Sequence, residues 1–109
     1  MHLEVGTEVL GSATVIDVAG ELDLHTAGDL ADALQQAQNA GVLVVDLSKV
    51  DFMDSTGLSV IVAAVAAARE HDHSIRVVTA SEKITKVFTL TGVDQQVAMF
   101  GSREEALAA

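Results

Sequence analysis

One apolar run, Val42-Leu43-Val44-Val45-Asp46-Leu47, narrows the folding options of this chain more than any other segment. Successive side chains of a strand point to opposite faces, so a strand without a polar face has to be covered on both sides. Such strands sit inside parallel sheets flanked by helices. The neighbouring segments supply those helices. Ala27, Leu30, Ala31, Leu34 and Ala37 recur at helical spacing before the run, and Leu58, Ile61, Val62 and Val65 after it. Proline is absent, and glycines divide the chain instead.

Around this centre the pattern predicts strands over Leu3–Val9 and Ala13–Ala19, joined by a hairpin at Leu10-Gly11-Ser12. Gly20–His25 reads as a loop. Thr26 is placed to cap a helix to about Asn39, with Asp29 three residues on as a weak capping-box partner. Gly41 stops that helix. Ser48–Asp54 reads as a polar loop interrupted by Phe52 and Met53, before a helix that ends near Glu70. The alanines from Ala63 to Ala68 are expected to pack closely against the sheet. A strand over Ile75–Thr79, a helix marked by Ile84, Val87 and Phe88 and closed by Gly92, and a strand over Val97–Phe100 follow. Ser102 with Glu105 forms a capping box for a last helix, Arg103–Leu107. The order is β-β-α-β-α-β-α-β-α, an α/β fold with a mixed, mostly parallel sheet and about four helices. Right-handed crossovers put Gly20–His25, Ser48–Asp54 and Thr79–Ser81 on one edge, where sites of open α/β sheets lie.

Half of the 109 residues are hydrophobic, which is enough for the core of one domain spanning residues 1–109. Sixteen acids against six bases give a net charge of −10. That balance argues against nucleic acid and against anionic membrane surfaces, both of which select clustered Lys and Arg. With no cysteine, disulfides, thiolate zinc sites and cysteine nucleophiles are excluded. The aromatic residues are three phenylalanines, a poor basis for stacking on bases or sugars. The amino-terminal segment has neither the basic start nor the apolar core of a signal peptide, and the longest apolar run, Gly57–Ala68, is too short to cross a bilayer. A cytoplasmic domain is expected, as a monomer or weak dimer.

The most informative segment is Phe52-Met53-Asp54-Ser55-Thr56-Gly57-Leu58. Here a helix begins at Asp54 or Ser55, and helix N-termini offer free N–H groups and partial positive charge. A hydroxyl at that point can carry a phosphoryl group stabilised by the helix end. Either residue can equally be a plain N-cap, the common role of Ser and Asp. Gly57 leaves room for another molecule to approach the backbone. Hydrolase chemistry does not fit: Met53 stands where a G-x-S-x-G elbow needs its first glycine. A phosphoreceiver domain does not fit either, for want of the paired acids after the first strand and the later lysine. His71-Asp72-His73 reads as a solvated loop and not as a metal site, and no cofactor is expected.

The segments Gly20-Glu21-Leu22-Asp23-Leu24-His25-Thr26-Ala27, Val45-Asp46-Leu47-Ser48 and Phe52–Leu58 together resemble the bacterial anti-sigma factor antagonists with a STAS domain. Phe88-Thr89-Leu90-Thr91-Gly92-Val93 and Ser102–Leu107 are similar to the same family, so that the likeness runs through nearly the whole chain. The resemblance implies a non-enzymatic switch. The unphosphorylated antagonist binds an anti-sigma factor that is also a serine kinase, and the sigma factor is released. Phosphorylation of the serine after the motif aspartate, here Ser55, ends binding, and a metal-dependent serine phosphatase restores it. Asp23 carries over as the loop acid beside the acceptor, Asp54 as the acid before it, and Asp46 as a structural strand acid. Thr56 stands where the family often has Ser, and so is a second candidate acceptor. His25, Thr26, Met53, Thr56 and Gly57 join Asp23 and Asp54 as the expected partner-binding set. Within the same group, a stressosome component or a transporter-associated regulatory subunit is the alternative.

Overall fold

The computed structural model describes residues 2–109. Five strands form one sheet in sequence order: β1 (Leu3–Leu10), β2 (Ala13–Leu22), β3 (Val42–Met53), β4 (Ser74–Val78) and β5 (Ala98–Phe100). β1 and β2 pair as the antiparallel hairpin, and β2 through β5 run parallel. The helices are α1 (Ala27–Gln36), α2 (Ser55–Glu70), α3 (Glu82–Thr91) and α4 (Arg103–Ala108), with one 3-10 turn at Val93–Gln95. The element order is the one the sequence pattern predicts.

The central strands are covered on both faces, as the apolar run demanded. Ile16, Val45, Leu47 and Val77 face a large core shared with Leu30 and Leu34 of α1, Ile61 and Val65 of α2, and Ile84 and Phe88 of α3. Val15, Val44 and Val78 point the other way and pack on Ala106 of α4. Three helices therefore lie on one face of the sheet and one on the other.

The fourth helix is held there by charge. Arg103 donates to Asp46 Oδ2 from Nε (3.2 Å) and from a terminal nitrogen (3.1 Å), donates to Asp17, and lies 3.6 Å from Glu8. Asp46 is buried, and burial by itself pushes its carboxyl pKa up. Hydrogen bonds from Ser48 and Arg103 outweigh that and hold it below the ordinary value of 3.8. Arg103 is pushed up in turn, chiefly by its bond to Asp17.

The structure corrects several boundaries. β2 reaches Leu22 and β3 reaches Met53, so the first half of the expected loop Gly20–His25 and nearly all of Ser48–Asp54 are strand. These ends pair with each other, Gly20 with Val50 and Leu22 with Met53, across two register shifts. Bulges replace the alternating pattern with one buried residue in three, Leu47, Val50 and Met53, which a period-two reading takes for a loop. Gly20 supplies one irregularity: its φ is +113°, and a Cβ there would run into the carbonyl of His2. α1 ends at Gln36, short of Asn39, and continues only as turns.

Candidate functional site

Because β2, β3 and β4 are parallel, their carboxyl ends open onto one edge of the sheet, and α1, α2 and α3 begin there. The first connection is a tight loop built on Asp23. Its Oδ1 accepts from the backbone N–H groups of His25 (2.8 Å) and Thr26 (3.2 Å). Thr26 Oγ1 accepts from Asp23 N (2.9 Å) and donates to the Glu21 carbonyl (2.7 Å). Asp23 and Thr26 are both buried, and Asp23 Oδ2 has no hydrogen-bond partner. This revises the sequence expectation. Thr26 does not cap α1 through its side chain. Asp23 closes the loop instead, and both side chains point into the protein. The loop turns Leu24 and His25 outward, and Leu24 is 71% exposed.

At the second connection Asp54 is the cap of α2. Its Oδ1 accepts from Thr56 N (2.9 Å) and Gly57 N (3.2 Å). The backbone N–H of Asp54 donates to the Leu22 carbonyl (3.1 Å), which ties the two connections together. Ser55 is then the first helical residue, exposed, and its hydroxyl takes no part in the cap. The ambiguity between Asp54 and Ser55 as cap is thereby resolved. Ser59, one turn on, donates to the Ser55 carbonyl (2.8 Å). Thr56 is half-buried.

Two further members of the expected partner set lie in the interior. Met53 is 5% exposed and belongs to the main core. Gly57 is buried, and what approaches it is the chain itself: a Cβ would stand 2.6 Å from Leu22 Cγ and 3.1 Å from the Leu22 carbonyl oxygen. It seats α2 on β2 and does not admit a foreign molecule. The surface of this edge is therefore made by Leu24, His25, Phe52, Ser55 and, in part, Asp54 and Thr56. Sequence reasoning passed over Leu24 and Phe52. Their signal was an apolar residue inside an otherwise polar connection, and at Phe52 the bulge turns it out while Met53 turns in. Lys83 Nζ lies 5.7 Å from the centre of the Phe52 ring, at cation–π range.

Third, Ser81 caps α3 by accepting from Ile84 N (3.2 Å), and Thr79 beside it is buried and shares a 2.8 Å hydrogen bond with Thr85. Among the described residues there is no group of three or more His, Cys, Asp or Glu fit to hold a metal, and no helix long and apolar enough to cross a membrane. The edge thus offers the exposed Ser55 hydroxyl at the N-terminus of α2, on the rim that also carries Asp51, Asp54 and the exposed apolar side chains of Leu24 and Phe52.

Comparison with known proteins agrees with this arrangement. A family model described as Mlab, STAS domain, matches residues 5–101. An anti-sigma-B factor antagonist of Staphylococcus epidermidis is 32% identical over 95 residues, spanning 85% of this chain and 88% of that protein. Its counterpart in Staphylococcus aureus (strain NCTC 8325 / PS 47) is 30% identical over the same length and coverage. Among solved structures, an anti-sigma factor antagonist from Mycobacterium paratuberculosis superposes with a TM-score of 0.89 at 28% identity, covering 98% of this chain and 92% of that one.

Proposed function

Because the chain belongs to the STAS-domain family of anti-sigma factor antagonists, we propose that it binds an anti-sigma factor of the serine-kinase type through the edge bearing Ser55. Binding frees the sigma factor, phosphorylation of Ser55 ends the complex, and a serine phosphatase resets the switch, all in the cytoplasm. The observation that carries this reading is the division of labour at the start of α2. Asp54 takes the cap, and Ser55 is left exposed with its hydroxyl free for a kinase.

A phosphoryl group adds about −1.5 to −2 of charge near neutral pH. The helix end stabilises it, by about 0.3–1 kcal/mol at an exposed site. A partner surface fitted to a neutral hydroxyl would have to desolvate that charge, and a loss of only about 2.7 kcal/mol weakens binding a hundredfold. Leu24 and Phe52 supply apolar contact beside the switch. Asp23 acts indirectly by setting the loop that presents Leu24 and His25.

Incubation with candidate anti-sigma kinases and ATP, followed by mass spectrometry, should place the modification on Ser55. In calorimetry Ser55→Ala should bind like the unmodified protein, and Ser55→Asp more weakly, though less so than the phosphoprotein. Equal binding by all three forms would reduce Ser55 to an ordinary helix residue and end this reading.

A further inference from the structure

Between α1 and α2 runs an open groove of about 490 Å³, within the range of small-molecule sites. Leu34 of α1, Leu43 and Ile75 of the sheet, and Ala63, Ala64 and Ala67 of α2 line it. Within the Ala63–Ala68 stretch only Ala64 and Val65 pack on the core beside the sheet, where the sequence suggested close packing throughout; Ala63 and Ala67 are exposed and line the groove. The face of α2 that buries Leu58, Ile61 and Val65 presses on the sheet, and those two alanines leave space. The groove follows α2 from Thr56 to His71, about 22 Å at the α-helical rise of 1.5 Å per residue.

Its lining is uncharged along that length. Among the described residues none of those lining it is Asp, Glu, Lys or Arg, although the chain carries sixteen acids and six bases. Polar residues stand at both ends, Thr56 and Ser59 at the start of α2 and Gln38, His71, His73 and Ser74 at its close. Asp72 adopts left-handed backbone (φ 56°), which turns the chain so that His71 and His73 both line that end, their ring centres 6.1 Å apart. His73 Nδ1 lies 3.0 Å from the Gln38 carbonyl oxygen. A carbonyl only accepts, so Nδ1 carries the hydrogen, and Nε2 of the neutral ring is left as an acceptor.

We infer that this groove binds an uncharged, single-chain aliphatic amphiphile with a hydroxyl head, such as a long-chain alcohol or a monoacylglycerol. The chain lies along the alanines of α2, and the hydroxyl donates to His73. A carboxylate head is disfavoured on three counts: it has no proton to donate to Nε2, no Lys or Arg lines the groove, and the net charge of −10 repels it.

Calorimetry and amide chemical shifts on the full chain, with 1-decanol and decanoate as probes, test this. Saturable 1:1 binding of 1-decanol is expected, at least about tenfold tighter than decanoate, a difference of about 1.4 kcal/mol. The shifts should fall along Ala63–His73 and Leu34–Gln38. Ala63→Phe and Ala67→Phe fill the groove from exposed positions and should each weaken 1-decanol binding by about tenfold or more. Ala66→Phe, exposed on the same helix but outside the groove, should keep wild-type binding, and circular dichroism melts verify that each variant is folded. Absence of saturable binding, decanoate binding as tightly as 1-decanol, shifts confined to other surfaces, or full binding by folded Ala63→Phe and Ala67→Phe would each overturn the inference.

Discussion

Asp23 and Leu24 are adjacent and carry opposite duties. Asp23 is buried and accepts two backbone hydrogen bonds, and Leu24 points into solvent. Truncation should therefore separate stability from binding. Asp23→Ala strands the N–H groups of His25 and Thr26 and should cost about 1–3 kcal/mol. In a domain of this size each kcal/mol lowers the melting temperature by about 4–8 °C. Asp23→Asn keeps the accepting oxygen and should retain most of the stability. Leu24→Ser removes a side chain that contributes almost nothing to the core, so the melt should hardly move, while affinity for the anti-sigma factor falls. Thermal melts paired with calorimetry decide this: a stable Asp23→Ala, or a Leu24→Ser with wild-type affinity, would reverse the assignment. The sequence made Asp23 visible as a motif acid but not its role, because Thr26 was equally plausible as the cap. Only the backbone path brings both N–H groups to one carboxylate oxygen.

Elements are joined here by two kinds of fit, one steric and one electrostatic. Gly57 lets α2 settle on Leu22 of β2, and Gly57→Ala would force its Cβ against a backbone carbonyl that cannot swing aside. Overpacking of this kind should cost about 1–3 kcal/mol, read as a lower denaturant midpoint at unchanged m-value. The other fit is Arg103 of α4 against Asp46 of β3. The Asp46 carboxyl is depressed in the folded state, so its contribution to stability is complete above the unfolded value near 3.8 and is lost as pH falls through the lower folded value. Protonation of the many exposed acids relieves self-repulsion over the same range. The wild-type curve therefore mixes both effects, and its difference from Asp46→Asn isolates the Asp46 carboxylate with its hydrogen bonds from Ser48 and its pairing to Arg103. Below pH 4 the wild type should lose its advantage over Asp46→Asn, and urea titrations from pH 6 to pH 3 measure it. A constant difference across that range would show that the charge of the Asp46 carboxylate contributes nothing. At this scale the pattern of the sequence was largely readable, since glycines, apolar spacing and the Ser102 cap marked every strand and α-helix in order, though not the 3-10 turn at Val93–Gln95. The ends of β2 and β3 were not, because bulges erase the two-residue period by which a strand is recognised.

The central strands of the sheet are buried on both faces, and the proposed switch at Ser55 lies on one rim. That architecture decides how a phosphoryl group on Ser55 would act. The added charge enters beyond the carboxyl ends of the strands, at a helix N-terminus that favours it, and touches neither core. The residues beneath the site, Leu22, Met53 and Leu58, are all within the main core. Phosphorylation should leave the melting temperature within a few degrees of the unmodified protein, roughly the shift produced by 0.5 kcal/mol. Amide shifts should concentrate at residues 54–58 and in the 23–26 loop. The Cα radius of gyration of 12.3 Å should be unchanged within the resolution of solution scattering. Binding to the anti-sigma factor should fall about a hundredfold or more. Any part of that loss that comes from charge repulsion should return in salt, because the Debye length shortens from about 10 Å at 0.1 M to about 3 Å at 1 M. The desolvation of the phosphate itself is not screened, so the recovery should be incomplete. A phosphoprotein that expands, melts far lower, or shows shifts spread through β4, β5 and α4 would mean that the switch works by refolding and not by charge at the rim.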